Sequence, residues 1–263
     1  MSSEHSAKEA PAPPSGRRTG KTGYGIDEPR TIIMLTAAGI LAVVTGVLLS
    51  VYTAKSNPAA ADTGLIAGPG VGFLILVVTA ALYWSSKLGK TRELVKIVDN
   101  IPWGGGEVVL DLGCGRGLAT TLSARKLPTG YTIGVDMWSK ARVSGNDPLS
   151  VIANAASAKV EDRVTPVKGA PMSLPLADGS VDVILSGLAV HHLVPRKLRE
   201  GLFVEMGRVL KEGGRIGILD AGNGIEYAHL LDKTGLRDIE MHRLRFSSFP
   251  PFHVVLARKP YKG

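Results

Sequence analysis

Charged side chains vanish from the chain twice. Residues 31–53 (TIIMLTAAGILAVVTGVLLSVYT) and 64–84 (GLIAGPGVGFLILVVTAALYW) run for 23 and 21 positions without a charge. About 20 apolar residues suffice for a helix to cross the hydrocarbon core of a bilayer, so the pattern predicts two membrane spans. Between them lies a short, polar, turn-rich linker at 54–63. Tyr52, Tyr83 and Trp84 fall at the ends, where interfacial aromatics belong. Gly68, Pro69 and Gly70 weaken the first turns of the second span. A pair of soluble helices this long would carry a polar face, and neither segment has one. A cleaved leader would start earlier and would not be followed by a second apolar run.

Beyond residue 85 the pattern changes to short apolar strands alternating with helical stretches. Strands are expected at 107–112, 131–136, 164–168, 180–186 and 214–220. Helices are expected at 118–126, 149–158, 195–210 and 225–233. Two closing strands, near 238–246 and 253–258, follow with no helix between them. Alternation of this kind predicts an α/β fold with a parallel sheet covered on both faces, and the closing pair predicts one antiparallel strand. The chain thus divides into an expected disordered tail at 1–30, rich in Pro and Gly, an expected transmembrane hairpin at 31–84, and an α/β domain at 85–263.

Charge sharpens this division. The net charge is +8 over 263 residues, with nearly all of the excess in residues 85–263. Lys8, Arg17, Arg18, Lys21 and Arg30 precede the first span, and Lys87, Lys90 and Arg92 follow the second; the hairpin tip carries only Lys55. The positive-inside rule therefore predicts two spans with both termini and the α/β domain in the cytoplasm. No stripe of Lys and Arg alternates with stacking aromatics, which argues against nucleic acid as a partner. There is one cysteine, Cys114, and the six histidines form no ligand ladder, so neither a disulfide framework nor a metal site is expected. Gly16-Arg-Arg-Thr-Gly20-Lys21-Thr22 imitates a phosphate loop, but it has one residue too few between its glycines and no strand before it.

The densest chemistry lies at Asp111-Leu-Gly113-Cys114-Gly115-Arg-Gly117, where a strand runs into glycines and then into a helix N-terminus. The Gly-x-Gly-x-Gly spacing is not the dinucleotide fingerprint, because position 118 is Leu. Asp136 closes the next strand, where a carboxylate can accept hydrogen bonds from a ribose diol. His191 and His192 follow the fourth strand, at the carboxyl edge where ligands of such sheets bind, and either could take a proton from an acceptor hydroxyl.

At these residues the sequence resembles the class I S-adenosylmethionine (SAM)-dependent methyltransferases. Three further stretches match in order: Gly134-Val-Asp136, Leu174-Pro-Leu-Ala-Asp178-Gly-Ser-Val-Asp182, and Val209-Leu-Lys-Glu-Gly-Gly-Arg215. The resemblance implies a Rossmann-like seven-stranded sheet in the order 3-2-1-4-5-7-6, with strand 7 antiparallel, and SAM as cofactor. It implies that Gly113, Cys114, Gly115 and Gly117 surround the methionine part of SAM. Asp111 would lie under the ammonium group and Asp136 would hold the ribose. Met137 and Trp138 would pack on the adenine, and Ser186 and Gly187 would flank the sulfonium. The family has an Asp that accepts from the adenine amino group where this chain has Ala170. The resemblance therefore implies an adenine pocket at Ala170 and Pro171 in which either a neighbouring backbone group replaces that acceptor or Met137, Trp138 and Met172 carry more of the contact.

Other members of this fold are excluded by residue type. Amino-methylating nucleic-acid enzymes carry an Asn/Asp-Pro-Pro-aromatic motif after the fourth strand, where this chain reads Ser186-Gly-Leu-Ala. Cytosine C5 chemistry needs a nucleophilic Cys near Pro, and arsenic chemistry needs several thiols. Two classes stay open. One is a membrane-anchored methyltransferase for a small apolar acceptor, quinone-like, isoprenoid or a lipid precursor. The other is a SAM-binding or regulatory membrane module without turnover, for which Ala170 is the support.

Overall fold

A computed structural model of the chain describes residues 22–139, 142–244 and 248–261. The first two elements form a helical hairpin, α1 (Pro29–Thr53) and α2 (Pro58–Trp84). The linker is shorter than the sequence suggests because α2 begins at Pro58. Proline is suited to the first helical turn, and the Asn57 side chain caps it by accepting from the Ala60 N–H at 3.1 Å. Pro69 stays inside α2.

Small residues explain how the two helices approach. A Cβ added to Gly68 would lie 2.5 Å from Gly46 Cα, and one added to Gly72 would lie 2.6 Å from the Gly39 carbonyl. Gly64 meets Gly46 one turn away. The inner face of the hairpin is thus backbone on backbone, the packing mode of helices in lipid. The large apolar side chains point outward: Met34, Val51, Ile66 and Phe73 are each about 70% exposed. Both helices are long and apolar enough to cross a membrane.

The helical path continues after Trp84 through a π-turn (Ser85–Gly89) into α3 (Lys90–Asn100). The sequence pattern predicts no strand or helix between 85 and 106. Leu94, Ile97 and Val98 show why it is helical: they share one face and bury it against Val109, Val183 and Leu185.

The α/β part follows as β1 (Val108–Leu112), α4 (Leu118–Ala124), β2 (Tyr131–Asp136), α5 (Pro148–Ser157), β3 (Val164–Lys168), β4 (Val181–Gly187), α6 (Arg196–Val209), β5 (Leu210–Asp220), α7 (Gly224–Lys233), β6 (Arg237–Leu244) and β7 (Phe252–Arg258). The sheet order is β3-β2-β1-β4-β5-β7-β6, as expected, and β7 runs antiparallel to both neighbours. The fifth strand starts earlier than its apolar run, at Leu210, because Leu210 pairs with Val181 ahead of a register shift. One core lies under α6 and α7, with Leu110, Ile184, Phe203, Met206 and Tyr227 buried. A second lies under α3 and α4, and a third, smaller one gathers Cys114, Val151, Ala155 and Val164 beside α5.

Residues 22–28 depart from the tail reading. They lie across the α/β part as a strap. The Ser144 N–H donates to the Ile26 carbonyl at 3.1 Å, the Glu28 N–H to the Arg142 carbonyl at 2.9 Å, and the Ile26 N–H to Ser144 Oγ at 2.9 Å. Tyr24 packs against the core beneath α3. One aromatic anchor and a short ladder suffice to order a segment that composition alone marks as soluble. Residues 1–21, which include most of the phosphate-loop imitation, lie outside the described residues.

Candidate functional site

A cavity of about 310 Å³ opens at the carboxyl ends of β1, β2 and β4. Strands β1 and β4 are neighbours there, and their following loops leave to opposite faces, so the sheet itself creates the crevice.

The glycine loop forms one side. Gly113, Gly115 and Gly117 all adopt positive φ (67°, 54° and 79°), a conformation that costs other residues ~1–2 kcal/mol. The three do different jobs. A Cβ on Gly113 would sit 2.2 Å from Ala189 Cβ, and one on Gly117 would sit 2.8 Å from Val151 Cγ1. At Gly115 the nearest atom would be 3.8 Å away. Gly113 and Gly117 are therefore small because protein lies against them, whereas Gly115 faces open cavity, a cradle that a ligand could enter. Cys114 is buried, and burial pushes its thiol well above the ordinary range, so it is no nucleophile.

Two carboxylates frame the loop. Asp111 is buried at the end of β1 and accepts from Thr120 at both N–H (2.7 Å) and Oγ1 (2.6 Å). Burial outweighs these bonds and raises its pKa to about 6. Asp136 closes β2. Its Oδ2 accepts from the Gly115 N–H at 2.9 Å; its Oδ1 accepts from the Trp138 N–H at 2.6 Å and from Asn146 Nδ2 at 3.2 Å. With two lone pairs on each oxygen, one position on Oδ2 is left for a ligand hydroxyl.

The remaining expected residues separate into two groups. Met137, Pro171, Ser186, Gly187 and His192 line the cavity. Ser186 is fully buried and donates from Oγ to the Leu112 carbonyl at 3.0 Å, tying β4 to β1. Gly117, Trp138, Ala170 and His191 are not among the lining residues. Trp138 is half-buried and packs instead against the cluster of Cys114, Val151 and Val160. Ala170 bridges to Ser173 in the turn after β3.

The histidine pair is asymmetric. His191 Nδ1 lies 2.9 Å from Asp220 Oδ1, and Asp220 also accepts from the Val190 N–H (2.9 Å), the Gly222 N–H (2.7 Å) and Tyr227 OH (3.2 Å). An oxygen set already taken as acceptor makes His191 Nδ1 the donor, leaving Nε2 with the lone pair. His192 Nδ1 instead faces Arg142 at 3.0 Å. A guanidinium only donates, so this Nδ1 is the acceptor and the His192 proton sits on Nε2. Burial, then the neighbouring His191 and Arg142, lower the His192 pKa to about 4, which keeps it neutral.

Among the cavity residues that the sequence does not announce are Tyr24, Asp27, Lys90 and Leu94, which come from outside the α/β sheet and its loops, and Arg116, Arg142 and Asn146, which come from within them. Asp27 and Lys90 read as ordinary flanks of apolar spans. Asp220 stood at the end of an expected strand, but its histidine partner is 29 positions away.

The fold and cavity suit an adenosine-bearing cofactor: a glycine cradle with free space, a carboxylate with one open acceptor position, and an apolar flank at Met137 and Pro171. Residues 110–218 match the family described as a methyltransferase domain. Among curated proteins the chain is similar to an arsenite methyltransferase of Halobacterium salinarum, with 41% identity over 120 residues, 44% of this chain and 27% of that protein. It is also similar to a chloroplastic 2-phytyl-1,4-beta-naphthoquinone methyltransferase of Arabidopsis thaliana, with 35% identity over 127 residues, 46% and 45% of the two chains. The matches to these two relatives span about half of their length or less. Among solved structures, a geranyl diphosphate methyltransferase in complex with SAM aligns with a TM-score of 0.55 at 15% identity, covering 79% of this chain and 94% of that one. A SAM-dependent methyltransferase from Aquifex aeolicus aligns at 0.51 and 18%, covering 63% and 89%. Residues 110–218 thus match a methyltransferase-domain family, within a seven-stranded sheet of order β3-β2-β1-β4-β5-β7-β6 that follows an apolar helical hairpin.

Proposed function

We propose that the chain is a membrane-anchored SAM-dependent methyltransferase acting on a small apolar acceptor, quinone-like, isoprenoid or a lipid precursor. One observation carries this reading. Asp27, two residues before α1, and Lys90 and Leu94, just after α2, all line the cavity. The base of the apolar hairpin and the mouth of the cleft are thus one place. An acceptor dissolved in a bilayer would meet the cleft where the hairpin leaves the lipid. Lys87 and Arg92 at that base favour anionic headgroups at ~1 kcal/mol each and a cytoplasmic α/β domain.

The division of labour follows from the site. SAM, when bound, supplies a methyl group on a good leaving group, so the protein chiefly positions and excludes water. Asp136 and Gly115 would hold the ribose side, Met137 and Pro171 the adenine, and the Ser186–Gly187 strand end would flank the sulfonium. For a hydroxyl acceptor, His191 is the candidate base. It stands behind the cavity lining, ring to ring with His192, but Asp220 holds its Nδ1 proton and leaves Nε2 free, so it serves only an acceptor that reaches past His192. The name of the Arabidopsis relative supports an apolar ring-bearing acceptor. An arsenic acceptor does not fit, since the one thiol, Cys114, is buried and held protonated.

The test is incubation of membranes containing the full chain with methyl-labelled SAM, followed by separation into lipid, water-soluble and protein fractions. Label in the lipid fraction is expected. Label confined to the water-soluble or protein fraction would overturn the acceptor reading and leave the methyltransferase reading standing.

A further inference from the structure

Asp27 and Lys90 lie 63 positions apart, on either side of the hairpin, yet Lys90 Nζ is 2.8 and 2.7 Å from the two Asp27 carboxylate oxygens. Ser86 Oγ donates to Asp27 Oδ2 at 3.0 Å and accepts from the Asp27 N–H at 2.8 Å. The side chains of Lys90 and Asp27 are only 8% and 19% exposed. Replacing a buried ion pair with apolar residues is often neutral or stabilising, so fold stability gives no reason to keep one here. Its place in a cavity wall does.

Hydrogen-bond capacity indicates what the pair lacks. Lys90 uses two of its three N–H groups on Asp27, and the third has no partner among the described residues. Asp27 Oδ1 accepts only from Lys90, which leaves one lone pair. The wall therefore offers one cationic donor beside one anionic acceptor. The complementary ligand is a zwitterion, an amino group and a carboxylate on neighbouring atoms, which would close a square of alternating charges. Location agrees. A Cβ on Gly25, two residues before Asp27, would lie 3.0 Å from Arg116 Cδ in the glycine loop. Leu94, one turn after Lys90, would lie 3.0 Å from a Cβ on Gly187. The pair thus sits on the wall that links the glycine loop to the end of β4.

We propose that Asp27 and Lys90, joined by the hairpin, bind the amino-carboxylate end of the cofactor, so that assembly of the two apolar helices completes the cofactor site. The proposal rests on the SAM reading above. Lys90 would donate to the ligand carboxylate and Asp27 would accept from its ammonium group. Asp111, beneath the glycine loop, is buried and turns Oδ2 toward Thr120, accepting from its N–H and its Oγ1.

The experiment compares two ligands on the full chain in lipid nanodiscs: SAM, and 5′-methylthioadenosine, which shares the nucleoside and lacks the amino-acid end. Calorimetry should show Lys90→Met weakening SAM by about 10- to 100-fold, as loss of a charge-assisted bond does. Methylthioadenosine affinity should change less than about twofold. Because Lys90→Met strands a buried carboxylate, the charge-neutral double variant Asp27→Asn/Lys90→Gln is measured beside it and should behave alike. Gly68→Val, which forces the helices apart, should reproduce the same selective loss. Equal losses for both ligands, or unchanged SAM affinity in the double variant, would overturn the proposal. A wild-type protein that binds neither ligand would overturn the SAM reading itself.

Discussion

His191 and Asp220 form a hydrogen-bonded pair at 2.9 Å across the ends of β4 and β5, and the adjacent His192 is turned toward Arg142. The two rings lie 3.8 Å apart between centroids but hold their protons on opposite nitrogens. On an oxygen acceptor, His191→Gln should lower the maximal rate by about 100-fold or more, the usual reach of a general base. His192→Gln should cost far less, and both variants should keep wild-type SAM affinity. Asp220→Asn should lower the rate without touching SAM affinity, through loss of the correct tautomer. Equal, small effects at His191 and His192 would make the pair structural.

Asp136→Ala should weaken SAM by about 10- to 100-fold, the loss of one charge-assisted bond at ~1.5–3 kcal/mol. The same change frees the Gly115 N–H, which loosens the loop. Titration calorimetry decides it; unchanged affinity would remove Asp136 from the ribose site.

Gly113→Ala should destabilise the fold more than Gly115→Ala. Both carry the cost of positive φ, but only Gly113 would also place a methyl 2.2 Å from Ala189 Cβ. Thermal melts of the ligand-free protein should show the order, and Ala189→Gly should recover part of the Gly113→Ala loss. SAM binding should show the reverse, with Gly115→Ala the more harmful, because its side chain enters the open cradle.

Asp111 predicts a pH effect. Its pKa in the fold, about 6, is raised above the ordinary 3.8, so the fold favours the neutral carboxyl. The contribution is fully present below pH 3.8 and is lost as pH rises through about 6. A shift near two units corresponds to ~3 kcal/mol. Melting temperatures of the ligand-free chain should carry this decline between pH 4 and 7, and Asp111→Asn should flatten it. An identical pH dependence in the variant would refute the assignment.

Much of the α/β part was legible because a buried parallel strand writes itself as an apolar run that ends at a turn. Tyr131–Asp136 and Val164–Lys168 have the expected limits, and the sheet order is the expected one. The glycine loop and Asp136 were legible for the same reason: their spacing is local. What escaped was long-range. Asp27 and Lys90 meet only because a hairpin returns the chain to its starting point, and in sequence each looks like a charge at the edge of an apolar segment. Tyr24 lay in a stretch whose Gly and polar content hides its ladder to residues 142–144. Trp138 takes φ 59° and packs against the Cys114–Val151 cluster, a backbone choice that no side-chain pattern announces.

The most direct test of a membrane-anchored methyltransferase is the conversion of SAM to S-adenosylhomocysteine by membranes that contain the full chain. Wild-type membranes supplied with their own lipid extract should produce it continuously, and Asp136→Ala membranes should produce it far more slowly at limiting SAM. SAM that binds the wild-type chain and is recovered unconsumed would contradict the account and establish a binding module without turnover.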